Sequence, residues 1–169
     1  LHDRADGVAL NIPLPKGTND SEFMALLEAI ILPAVAQHRP QAIVFQCGAD
    51  AVLEDPLSSL GLSNTTHWQV ALALKTMVPR LLVLGGGGYN PWSVGRLWSG
   101  VWATLNGFAI PDVLPDRAQA VLKPLRWSRR AVPKSALLTT LCDVPRTGQV
   151  REVIWDLITA LKPRLNGHF

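Results

Sequence analysis

Three observations predict an α/β protein with a parallel sheet and flanking helices. Short apolar runs at residues 8–14, 42–47 and 80–84 alternate with longer segments whose apolar residues recur at helical spacing. The second run is apolar at nearly every position, as a parallel strand buried on both faces would be. The third opens into four consecutive glycines, residues 85–88, and then Tyr89, the single tyrosine of the chain. A strand that ends in glycine and then a polar side chain stands where open α/β sheets bind ligands, outside the carboxyl ends of the strands.

The elements follow in order. Val8 to Leu14 reads as a first strand stopped by its prolines and followed by a Pro15-Lys16-Gly17 turn. Asp20 or Ser21 can cap a helix in which Phe23, Leu26, Leu27, Ile30 and Ile31 share a face up to about Gln37, before Arg39-Pro40 ends it. Ala42 to Cys47 is the second strand, and Asn64 or Thr65 can cap a second helix through Trp68, Val70, Ala71, Leu74 and Met77. After the third strand, Pro91 suits a first helical position. Val94, Leu97, Trp98, Val101, Trp102 and Leu105 then form an apolar stripe ending at Asn106-Gly107. Residues 109–147 show no sustained period and read as an irregular wrapping segment with one short helix near 133–141, and a terminal helix follows over 148–163.

The whole is one domain by length, 169 residues. Charged residues make up 17%, below the roughly 25% of ordinary soluble domains, so part of the surface is expected to be covered. A net charge of +3 with scattered basic residues does not argue for nucleic acid. Glu28 and Pro33 break the longest apolar segment below the length that spans a bilayer. Two cysteines, Cys47 and Cys142, give neither a disulfide framework nor a metal spacing, which points to a reduced, cytoplasmic setting. The chain opens at Leu1 without a methionine and runs almost at once into a strand-like segment, so a cut start is expected. Three parallel strands would leave apolar edges unpaired, so either further strands come from elsewhere or the chain pairs with itself.

The glycine run has two readings, a bed for a close-approaching ligand or a structural loop. A dinucleotide fingerprint fails because Asn90 stands where its third glycine belongs, and no Gly-Lys-Ser/Thr follows to make a P-loop. Asp50 follows strand two as Tyr89 follows strand three, so carboxylate and phenol can face one cleft. Taken alone, Asp50 can be a metal ligand, a general base or a loop cap, and Asp55 before Pro56 reads as a turn former.

Together these residues carry a resemblance. Gln46-Cys47-Gly48-Ala49-Asp50, Asp55-Pro56-Leu57, and Leu84 through Tyr89-Asn90 with Arg96-Leu97-Trp98 resemble the zinc-dependent histone deacetylase family, most nearly its bacterial acetoin-utilisation type. Asn11 to Leu14 with Gly17-Thr18 and Asp20 is similar as well, and the likeness covers about residues 8–108 well and the rest weakly. The resemblance implies an arginase/deacetylase fold with a sheet larger than three strands, acting on acetyl-lysine or a related acetylated amine. It implies that Asp50 is a zinc ligand and that Tyr89 donates to the substrate carbonyl. It further implies that Gly86, Gly87 and Gly88 flank the acyl-lysine tunnel and that Leu57 lines it. The family's other ligands, an Asp-x-His pair, and its tandem His-His are absent: His2, His38, His67 and His168 are neither paired nor set two after an aspartate. Each of the four is expected to be solvated or capping. A catalytic zinc takes three protein ligands, so the expectation is a C-terminal half, zinc-poor and inactive alone, that needs the N-terminal half of the fold. The alternative is a non-catalytic α/β module that binds a partner or self-associates through its apolar edges.

Overall fold

The computed structural model describes residues 8–128 and 133–165. A first helix, α1 (Asp20–Leu26), passes through a π-helical turn at Leu27–Ile31 into α2 (Leu32–His38). Then come β1 (Ile43–Gln46), α3 (Asn64–Met77), β2 (Leu81–Leu84), α4 (Pro91–Asn106), α5 (Asp116–Leu122), α6 (Ala136–Thr139) and α7 (Glu152–Leu165). β1 and β2 pair in parallel, with Ile43 opposite Leu81 and Gln46 opposite Leu84.

The two strands alternate between packed and bare positions. Phe45 and Val83 pack on a core of Trp68, Ala71, Leu97 and Val101, while Ile43 and Leu81 pack on Leu27, Val70 and Leu74. On the opposite face Val44, Leu82 and Leu84 are 64%, 56% and 43% exposed. Burial on both faces, expected from the continuous apolar run, is therefore not met among the described residues, because the helices packed on the sheet lie on one side. At Gly100 an added Cβ would strike the Trp68 indole, so α3 and α4 meet at ring thickness, and the indole N–H donates to the Leu97 carbonyl at 2.9 Å.

Residues 8–14 form no strand. Pro13 and Pro15 remove ladder donors, and Leu10, Ile12 and Leu14 pack instead on Leu26, Ile30, Ile154 and Ile158. Asn19, one residue before the expected caps, starts α1 through a capping box with Glu22, at 3.0 Å in both directions. Ser63 likewise precedes α3, one residue ahead of expectation. Asn90 caps α4 through Trp92 N and Ser93 N, with Pro91 at its first position, and Gly107 ends it at φ 72°. The terminal helix begins at Glu152 rather than 148, because Gly148 N is bonded to Ser21 Oγ and Arg151 to Glu22. The wrapping segment holds α5 besides the expected short helix; α5 is seven residues long and buries none of them, so it leaves no stripe to read.

Candidate functional site

The two strand exits run side by side beyond the sheet. Cys47 N donates to Leu84 O at 2.8 Å and Ala49 N to Gly87 O at 2.6 Å. Asp50 is thus the residue after a main-chain bond to Gly87, and Tyr89 comes two residues after that glycine. The glycines are required by close approach: a Cβ at Gly86 would overlap the Gln46 amide, and one at Gly87 would overlap the Asp50 carboxylate. At Gly88 the backbone adds its own demand, with φ at +147° and Ala49 Cβ and Val94 Cγ2 inside contact distance.

Two aspartates five positions apart have opposite environments. Asp50 is exposed, and none of the described residues donates a hydrogen bond to its carboxylate. Asp55 is 4% exposed and uses both oxygens: Oδ1 accepts from Leu57 N at 2.9 Å and Oδ2 from Tyr89 N at 2.6 Å. The turn-forming reading of Asp55 holds, and the capping alternative for Asp50 is not realised. Asn90, fully buried, adds a second tie, donating from Nδ2 to Glu54 O at 2.8 Å. Leu57 is 60% and Tyr89 49% exposed, both on loops at this end of the sheet.

His67 departs from the solvated or capping role. It sits in the first turn of α3 with Nε2 at 3.1 Å from Gly48 O, which ties the Asp50 loop to the helix, and burial pushes its pKa down. His38 is an exposed helix-end residue, as expected, while His2 and His168 lie outside the described residues. Cys47 is buried and its thiol is pushed up to about 11 by desolvation, which makes it an inert core group.

Behind Asp50 lies a cavity of about 310 Å³ walled by Phe23, Phe45, Cys47, Thr66, His67 and Val70, and neither Tyr89 nor Leu57 lines it. Among the described residues no three of His, Cys, Asp and Glu gather closely enough to hold a metal. A lone free carboxylate over a glycine cradle fits one corner of a metal site whose other ligands come from outside the described residues. Near the strand ends, two long-range ties are not foreseen from the sequence: the grip of Asp55 on Tyr89, across 34 positions, and the His67–Gly48 bond. Asp55-Pro56 signals only a local turn, and a single histidine carries no sign of a distant carbonyl.

Fold and site together define a parallel α/β protein whose neighbouring strand ends lead into two loops, one carrying the Asp50 carboxylate against Gly87 and the other carrying Tyr89. The profile of the histone deacetylase domain matches residues 1–105, and the chain belongs to the histone deacetylase family. It is 38% identical to histone deacetylase 9 of Arabidopsis thaliana over 108 residues, which is 64% of this chain and 25% of that protein. Acetoin utilization protein AcuC of Staphylococcus xylosus is 28% identical over 158 residues, 89% of this chain and 41% of that one. Among solved structures, an HDAC homolog from Aquifex aeolicus and an HDAC homolog complexed with SAHA each superpose with TM-score 0.80 at 36% identity. Each match covers 90% of this chain and 42% of the other, which places the fold in the arginase/deacetylase class. The chain thus spans less than half the length of these relatives.

Proposed function

We propose that this chain carries the oxyanion side of a zinc-dependent amide hydrolase that removes the acetyl group from acetyl-lysine or a related acetylated amine. The observation that carries the reading is the hydrogen-bond-free Asp50 carboxylate resting on Gly87, two residues before Tyr89. Asp50 supplies one anionic oxygen ligand. Bound zinc would polarise the amide carbonyl and make hydroxide available near neutral pH. The phenol O–H of Tyr89 donates to the oxyanion that develops as the carbonyl carbon becomes tetrahedral. Gly86, Gly87 and Gly88 leave room for an acylated alkyl chain, and Leu57 supplies an apolar wall. With one such ligand the chain alone is inactive and zinc-poor; the bare sheet face and unpaired strand edges accept the N-terminal half of the fold. Its setting is cytoplasmic, in keeping with two free thiols; no helix of the described residues is long and apolar enough to cross a membrane.

The same bare face supports a second reading, a module that self-associates without chemistry. One experiment separates the two: zinc content and acetyl-lysine hydrolysis, measured on this chain and on a chain extended by the N-terminal half. The enzyme reading expects activity only in the extended chain. There Tyr89→Phe should lower turnover on the order of 10²–10³-fold with zinc retained, and Asp50→Ala should lower zinc occupancy. Wild-type turnover by the Tyr89→Phe form, or normal zinc in the Asp50→Ala form, would overturn these roles. An extended chain that neither binds zinc nor hydrolyses the amide would favour the module.

A further inference from the structure

A loop containing four glycines has little reason to hold a phenol still, since glycine is the least restrained residue of an unfolded chain. A donor useful to an oxyanion must nonetheless be fixed before the charge forms. We propose that Asp55 is the positioning residue of this site, its buried carboxylate locking the Tyr89 loop and the Leu57 loop into one register. This rests on the reading of Tyr89 as oxyanion donor and Leu57 as tunnel wall, and adds what holds the two together.

The geometry asks more of Asp55 than a turn does. Capping its own turn requires only Oδ1, which accepts from Leu57 N. The second oxygen takes the Tyr89 N–H at 2.6 Å, a charge-assisted bond reaching across 34 positions. The next residue pair repeats the link, with Asn90 Nδ2 on Glu54 O. Since Asn90 also caps α4, the clasp joins the loop of Leu57, the phenol-bearing residue and the start of a sixteen-residue helix. Asp55 touches neither substrate nor metal in this scheme; it acts through the backbone of Tyr89.

Tyr89 is the only tyrosine, so incorporation of 3-fluorotyrosine gives a single fluorine signal, read together with exchange of the Tyr89 amide. In the wild-type chain the Tyr89 amide should exchange as slowly as the amides of α4, and exchange at the rate of an unstructured peptide would overturn the proposal without any variant. In Asp55→Ala, exchange at Tyr89 should quicken at least tenfold and the fluorine line should move toward that of free fluorotyrosine. Asp55→Asn, which keeps one acceptor oxygen, should fall between and serves if the alanine form does not fold. Leu161→Ala, a core change on the buried face of α7, should lower the melting temperature without moving the fluorine line. A folded Asp55 variant with unchanged exchange and fluorine signal would reduce Asp55 to a turn residue. None of these readouts uses activity, so failure of the hydrolase reading leaves the clasp standing, and failure of the clasp leaves the hydrolase reading to its own test.

Discussion

Helix α4 is gripped from two sides by opposite means. Toward the sheet it buries Leu97 and Val101 against Trp68, Phe45 and Val83, contacts that are chiefly apolar and carry no charge, with indole N–H bonds from Trp68 to Leu97 O and from Trp98 to Cys47 O as the directed exceptions. Toward the segment 134–151 it offers Arg96, 3% exposed, whose guanidinium donates to Thr140 O at 2.7 Å, to Cys142 O at 3.0 Å and to the Asp143 carboxylate. The rest of that segment is fastened alike. Asn64 donates to Leu141 O and exchanges bonds with Asp143, Asp20 accepts from Arg146 N at 2.7 Å, and Glu22 pairs with Arg151 at 2.5 Å and 2.8 Å. A segment with no sustained period has no continuous apolar stripe to bury, so beyond the few apolar contacts of Leu137, Leu141, Cys142 and Val150 it is held by paired polar groups. The sheet layer is positioned by shape, the wrapping segment by stoichiometry of donors and acceptors.

Neighbouring substitutions on α4 should separate the two most sharply. Arg96→Ala leaves the part-buried Asp143 carboxylate with its Asn64 N bond alone and several carbonyls unpaired, an expected loss of about 3–5 kcal/mol, with amide protection falling first across residues 140–146. Leu97→Ala opens a cavity on the other side, an expected loss of about 2–5 kcal/mol, with protection falling first in β1 and β2. Denaturant midpoints and residue-resolved exchange measure both, and the same exchange pattern from the two variants would erase the distinction.

Acid should loosen one region before the other. Burial pushes the Asp20 carboxyl up, but its bonds from Ser63, Arg146 and Thr66 outweigh this and leave it below the usual value; Glu22 is held down chiefly by the Arg151 guanidinium. A depressed folded value means these groups stabilise fully above their unfolded values of about 4 and lose that contribution as pH falls through the folded ones. Below about pH 4 the Arg146 and Arg151 amides should therefore open while Phe45 and Val83 stay protected. Simultaneous loss would show that the fasteners carry no separate share. The smallest effect is expected on the bare face: Leu82→Ser should change stability by less than about 0.5 kcal/mol yet reduce any self-association seen by sedimentation.

The same contrast explains what could be read from the residues. The stripe of α4, its Pro91 start and its Gly107 stop are local signals found in the structure, except that Trp102 of the expected stripe is 62% exposed and stacks on Phe108. So are the two strands and the turn at Asp55. What escaped depends on partners far along the chain: in the sequence Arg96 stands only as part of a motif, with nothing to show Thr140 and Asp143 as its partners, and Asp20 resembles a cap until Ser63, Thr66 and Arg146 claim its oxygens. The strand expected at residues 8–14 failed for the complementary reason, since its apolar residues found helices α1 and α7 where the pattern suggested a sheet. At the site, the glycine bed and the order Asp50 then Tyr89 were legible, while the clasp of Asp55 on Tyr89 was not.

Gly100 and Trp68 are matched in size like a peg and its socket. Neither can drift alone: a methyl on one requires a smaller ring on the other, so in any lineage of this chain the two positions should change as a pair. Enlarging Gly100 by itself would tilt α4 about its far end and swing the phenol at its head, far from any residue that touches a ligand.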